Sequence, residues 1–132
     1  MPFSPRAFQV VIDCGDPDRV AEFWAGALGY RIEEPGAALD PGRTAAVVDP
    51  EGQKPRLFFQ RVPEGKVVKN RIHLDLNVSG GPNTPAEERR RRIDEEVVRV
   101  SGLGATVLRP MEAWSEYWVV MQDPEGNEFC VQ

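Results

Sequence analysis

The chain of 132 residues holds a single histidine, His73, in the run Arg71-Ile72-His73-Leu74-Asp75-Leu76. Residues two apart share a face of an extended strand. His73, Asp75 and Asn77 therefore line one side of this run, and Leu74, Leu76 and Val78 the other. An Asp–His pair on a polar face can act as a general base or orient a bound ligand; it can also be a hydrogen-bonded imidazole with no catalytic part. Residues 8–14 show the same alternation, with Gln9, Val11 and Asp13 opposite Val10, Ile12 and Cys14. Asp13 and Asp75 are expected in corresponding places, as solvated carboxylates or as a pair with one raised pKa. Cys130 reads as a small buried strand residue unless a neighbour stabilises its thiolate. A Cys–His nucleophile would also require a third, orienting group, and none is evident. Phe58 and Gln60 share one strand face, as do Cys130 and Gln132. Trp114, Tyr117 and Trp118 cluster before the last hairpin; those not used in the core suit a flat organic ligand.

Two copies of Asp-Pro-Glu-Gly, at residues 49–52 and 123–126, organise the elements that must hold these side chains. Asp-Pro starts a turn and Gly accepts the left-handed position that closes it. Apolar runs on either side make each copy a hairpin. In the first half, a strand over residues 8–14 leads to Asp16 as N-cap and Pro17 at the first helical position. Val20, Phe23, Trp24, Ala27 and Leu28 form one apolar helical stripe, which Gly29 ends. Strands follow at residues 30–33, 44–48 and 56–61, with a Pro/Gly-rich loop over 34–43. The second half repeats this order. A strand over 71–78 precedes Thr84 as N-cap, Pro85, and Glu87 completing a capping box. The helix runs to about residue 101 and buries Ile93, Val97 and Val100. Strands at 106–109, 116–121 and 128–132 complete it. The expected fold is α+β: a single domain over 1–132, with βαβββ modules at about 6–62 and 71–132 and a linker at about 63–70.

The run Phe8-Gln9-Val10-Val11-Ile12-Asp13-Cys14-Gly15-Asp16-Pro17, the Phe23-Trp24 helix with Leu28-Gly29-Tyr30, the His73 strand and Asp123-Pro124-Glu125-Gly126-Asn127 together resemble the vicinal oxygen chelate superfamily. That group includes glyoxalase I, bleomycin-resistance proteins and extradiol dioxygenases, and the resemblance is greatest to its glyoxalase-like domain branch. It implies two βαβββ units forming an open, barrel-like mixed sheet around a cleft, and a homodimer. It also implies four metal-ligand positions, falling here on Gln9, Phe58, His73 and Cys130. Metal-dependent members carry carboxylates at the second and fourth positions; this chain carries Phe58 and Cys130. Catalytic metals usually have three protein ligands, and Phe58 has no donor atom. No cofactor is therefore expected. Should a divalent metal (zinc, nickel, iron or manganese) bind, Gln9 and His73 would hold it, and Asp75 allows a shifted His/Asp arrangement. The resemblance also brings His73 and Cys130 together.

The resulting expectation is a binder of a small organic molecule, of the resistance or sequestration type, without the standard metal site. Its ligand-binding residues would be Gln9, Asp13, Phe58, Gln60, Trp114, Trp118 and Cys130. The alternative is a lyase, isomerase or dioxygenase, metal-dependent or using His73 as base and Asp75 as its partner. No feature specifies a regulatory module. A net charge of −5 argues against nucleic acid. The Arg89-Arg90-Arg91-Arg92 run is flanked by acids and reads as a salt-bridged helix face, with Glu88–Arg92 as one i,i+4 pair. The first six residues lack the apolar core of a signal peptide, no run is long enough to span a bilayer, and two cysteines make no disulfide framework. A cytoplasmic location with reduced thiols is expected.

Overall fold

A computed structural model describes residues 4–36 and 39–132. The expected loop over 34–43 includes Ala37 and Ala38, and the N-terminal run includes residues 1–3; these lie outside the described residues. The chain divides into two compact units, Met1–Gly65 and Lys66–Gln132. No helix among the described residues is long and apolar enough to cross a membrane.

Unit one contains β1 (Val10–Cys14), α1 (Pro17–Leu28), β2 (Arg31–Ile32), β3 (Thr44–Val48) and β4 (Leu57–Arg61). Its sheet has the order β1-β4-β3-β2, with β1 parallel to β4 and the other pairs antiparallel. The α1 boundaries follow their local chemistry. The Asp16 carboxylate accepts from the Arg19 N–H at 3.2 Å, and Gly29 closes the helix at φ 70°. The stripe of Val20, Phe23, Trp24 and Ala27 is buried, with Leu28 half-buried. Phe23 and Trp24 meet edge to face at 5.1 Å. The helix packs on β3, β2 and β4, whose Ala45, Val47, Leu57 and Phe59 are also buried. Each such large apolar side chain contributes roughly 1.5–3 kcal/mol.

Unit two contains β5 (Asp75–Leu76), α2 (Ala86–Gly102), β6 (Thr106–Ala113), β7 (Glu116–Gln122) and β8 (Glu128–Val131). The order β5-β8-β7-β6 repeats that of unit one, again with the first strand parallel to the last. Both Asp-Pro-Glu-Gly turns form as expected. Asp49 accepts from the N–H groups of Glu51, Gln53 and Lys54, and Asp123 from those of Glu125 and Asn127. Gly52 and Gly126 adopt φ of 69° and 86°.

Three expectations for unit two need correction. The ladder of β5 covers only Asp75–Leu76, not residues 71–78. The Asn70 side chain takes the place of strand pairing upstream: its amide donates to the carbonyls of Ile72 and Glu128, and its oxygen accepts from the Glu128 N–H at 2.8 Å. The alternation of faces still holds, with Leu76 buried and His73, Asp75 and Asn77 exposed. At α2, Pro85 rather than Thr84 occupies the cap, with ψ 146° and no side-chain hydrogen bond, so the capping box does not form. Thr84 lies one residue too far from the free N–H groups. Glu87 and Glu88 instead place negative charge at the positive end of the helix. Ile93 and Val100 are buried, whereas Val97 is half-buried. Finally, β6 continues past residue 109 to Ala113, through a bulge between Val107 and Arg109. Pro110 is tolerated because β6 is an edge strand.

Candidate functional site

In unit two, the parallel ladder sets Asp75 directly beside Cys130. His73, two residues earlier, reaches the same carboxylate, with Nε2 at 3.3 Å from Asp75 Oδ1. The donor atoms of His73, Asp75 and Cys130 all lie within 4.8 Å of one another. Their environments differ: Cys130 is 8% exposed, while the His73 and Asp75 side chains are 48% and 39% exposed. Burial pushes the Cys130 thiol above its ordinary value, and the charge and hydrogen bond of Asp75 push it further. This runs against a low-pKa nucleophile. Val120 is the cross-strand partner of Cys130 on β7, so Trp118, two residues away, shares this face. Gln132 donates to the Asn77 side chain at 3.0 Å on the same side.

In unit one, the matching face carries Gln9, Val11 and Asp13 beside Phe58 and Gln60. Val11 pairs with Phe58 and Asp13 with Gln60. Arg56 organises it. Its guanidinium donates twice to Glu33, at 3.0 and 2.7 Å, and once to Gln9 Oε1, at 2.8 Å. It also lies 5.2 Å from the centre of the Phe58 ring, a cation–π arrangement. The hydrogen bond from Arg56 holds the Glu33 carboxyl below the usual carboxylate range, against a smaller opposing effect of burial.

The two registers correct one expectation. Asp75 beside Cys130 corresponds to Val11 beside Phe58, so the counterpart of Asp75 is Val11, and Asp13 corresponds to Asn77. The aromatic cluster also separates. Tyr117 turns to α2, donating to Asp94 at 2.5 Å, and its phenol is pushed up to about 12, first by burial and then by that carboxylate. Trp118 is half-buried on the Cys130 face. Trp114 stands 88% exposed at the tip of the β6–β7 hairpin. There Trp114 and Ser115 have φ of 52° and 62°, the backbone of a type I′ turn without its usual glycine.

The residues at the four implied metal positions do not fit a divalent ion as a set. Gln9 Oε1 accepts from a guanidinium, which repels a second cation, and Phe58 offers no donor. Arg56 and Glu33 were not apparent as site residues from the sequence. The parity of Arg56 with Phe58 and Gln60 puts it on the face, but only the fold brings Glu33 to it. Two open grooves lie away from these faces, along the charged side of α2. One, near 480 Å³, is lined by Glu87, Arg90, Arg91, Asp94, Glu95 and Val98. There Arg91 bridges Glu88 and Glu95, and Arg92 meets Glu88 at 3.0 Å, as expected of a salt-bridged helix face.

A comparison with curated proteins finds no match. Among solved structures, the chain is similar to a glyoxalase/bleomycin resistance protein/dioxygenase family enzyme from Burkholderia phytofirmans PsJN. The TM-score is 0.68 at 20% identity, over 93% of this chain and 94% of that one. It is similar to the fosfomycin resistance protein FosX of Listeria monocytogenes, solved with Mn(II) and 1S,2S-dihydroxypropylphosphonic acid. Here the TM-score is 0.69 at 9% identity, over 98% and 90%. Lactoylglutathione lyase from Agrobacterium tumefaciens gives 0.62 at 17% identity, over 98% and 93%. At these identities the likeness is one of fold. The glyoxalase-like domain model matches residues 9–132, and on that match the chain belongs to the glyoxalase-like domain family.

Proposed function

We propose that this protein binds a small organic molecule on the outward sheet faces of its modules, as a resistance- or sequestration-type binder that does without the standard metal set. The observation that carries this reading is the Arg56 cluster: at two of the family's ligand positions stand an amide engaged by a guanidinium and an aromatic ring beneath it. Such a surface pairs an apolar face with fixed polar groups, as small-molecule sites do. On unit one the ligand-contacting residues would be Phe58, Gln60, Gln9 and Asp13; on unit two they would be Trp118 and Cys130. Trp114, exposed at its hairpin tip, would reach toward ligand from the rim. The protein would act as a cytoplasmic homodimer, with Cys14 and Cys130 reduced; both are buried.

The second reading is a lyase, isomerase or dioxygenase, favoured by the 3.3 Å approach of His73 to Asp75. In it, His73 takes a proton from substrate and Asp75 orients the imidazole and stabilises its charged form.

A thermal-shift screen of aromatic and amphipathic compounds, followed by calorimetry and mass spectrometry of the recovered compound, separates the two. Binding without chemical change, weakened at least about tenfold by Phe58→Ala or Trp118→Ala, is the expected result. Chemical conversion of the compound, abolished by His73→Ala, would replace the binder with the enzyme. A broad screen with no stabilising compound would count against both.

A further inference from the structure

We propose that the outward face of unit one takes a flat aromatic carboxylate, and that Arg56 is the residue that selects for the acid; the inference rests on the binding reading above and gives its ligand a chemical class. The hydrogen-bonding capacity left at this end of the face is of one kind. A guanidinium carries five N–H donors. Arg56 directs two to Glu33 and one to Gln9 Oε1, and the other two have no partner among the described residues. Both Glu33 oxygens and the Gln9 oxygen accept from Arg56, which leaves the Gln9 amide N–H groups as further donors. A carboxylate only accepts, and it bonds most strongly to charged donors, so it complements this set.

Charge selects in the same sense. Beyond the hydrogen bond from Arg56, the charges of Arg56 and Arg31 both lower the Glu33 carboxyl. Two guanidiniums against one carboxylate leave one positive charge at this end. Asp13, the acid on the same face, is four residues along the chain from Gln9, roughly 13 Å away in an extended strand. That exceeds the screening length of about 8 Å at physiological salt. The ring of the ligand has its own place. Phe58 follows Arg56 by two residues, a step of roughly 6.6 Å along one face, and its register partner Val11 is half exposed. A ring with a short acidic arm spans from the donors to Phe58 and Val11. The guanidinium is held for this: the Val10 N–H donates to the Arg56 carbonyl at 3.0 Å, and the ion pair with Glu33 fixes the side chain 5.2 Å from the Phe58 ring centre. Unit two cannot make this site. The position matching Arg56 is Glu128, an acid already paired with Lys69 at 3.1 Å.

The test is calorimetric titration of the full chain with probes of one shape: 2-naphthoate, its neutral amide, and the cation 2-naphthylmethylammonium, with 3-phenylpropionate as a narrower acid. The expected result is that an acid binds at least about tenfold tighter than the amide, the worth of a hydrogen bond to a charged group. The cation should bind weakest, and added salt should narrow the difference. Arg56→Gln should remove the preference for acid over amide, whereas Phe58→Leu should weaken both alike. Arg31→Gln, at an exposed position, should reduce the preference by a smaller factor, and it keeps the charge argument testable if circular dichroism shows Arg56→Gln to be misfolded. Amide or cation binding as tightly as the acids, an unchanged preference in folded Arg56→Gln, or no binding of either acid would each overturn the assignment. A neutral compound from the thermal-shift screen, bound where the acids are not, would remove this ligand class and leave the binding function standing. Chemical conversion of a bound acid would do the reverse, keeping the class and replacing the binder with an enzyme.

Discussion

The two units share one strand order and one turn sequence, yet their outward faces carry different chemistry. The registers align Gln9 with His73, Val11 with Asp75, Phe58 with Cys130 and Gln60 with Gln132. In unit one these positions hold an amide, a valine, a phenylalanine and an amide, and Arg56 engages the first amide and the phenylalanine ring. In unit two, three of the four can bind a proton or a metal. Burial behind the sheet is alike, since Phe59 and Phe129 are both fully buried. The repeat has thus kept the side that supplies stability and changed the opposite side. The inward side is constrained by close packing, where small volume changes are felt. The outward side has no such constraint.

The largest expected effect tests the shared half of this comparison. Phe59→Ala and Phe129→Ala should each destabilise by about 3–5 kcal/mol in urea denaturation. A cost below about 1 kcal/mol in one unit alone would mean that the two cores are not equivalent.

An intermediate effect tests the half that differs. Arg56→Ala leaves the Glu33 carboxylate half-buried without its partner, and should cost about 1–3 kcal/mol. The pair also predicts a pH dependence. The folded pKa of Glu33 is depressed, so its contribution is fully present above the unfolded carboxylate pKa. It is lost as pH falls through the folded value. Urea midpoints measured down the acid range should therefore drop less steeply in Glu33→Gln than in the native protein. Equal slopes would show that the Arg56 clamp is not formed in solution.

The smallest effect lies at the hairpin tip, which has no left-handed glycine, unlike the turns closed by Gly52 and Gly126. Left-handed backbone costs a non-glycine residue on the order of 1–2 kcal/mol. Ser115→Gly should raise the melting temperature by a few degrees; a lowered one would show that the serine makes a contact worth more than the strain.

Local chemistry made much of the fold legible. Asp16, Pro17 and Gly29 set the ends of α1, and the two Asp-Pro-Glu-Gly turns set their hairpins, because each depends on groups a few residues apart. The same reasoning failed at Thr84, where a one-residue shift at Pro85 removed the cap, and along residues 71–74, where the Asn70 side chain displaced a ladder. Both outcomes turn on hydrogen-bond competition that spacing does not reveal.

By itself, the sequence determined which residues face outward, because strand alternation is a backbone property and needs no partner. It therefore identified Gln9, Phe58, His73, Asp75 and Cys130 as face residues. Tertiary structure alone decided their company. Glu33 and Arg56 are 23 residues apart, and Asp75 and Cys130 meet only when β5 pairs with β8. Strand register fixes such neighbours, and it is set by hydrogen bonds between segments distant along the chain, which no local pattern specifies.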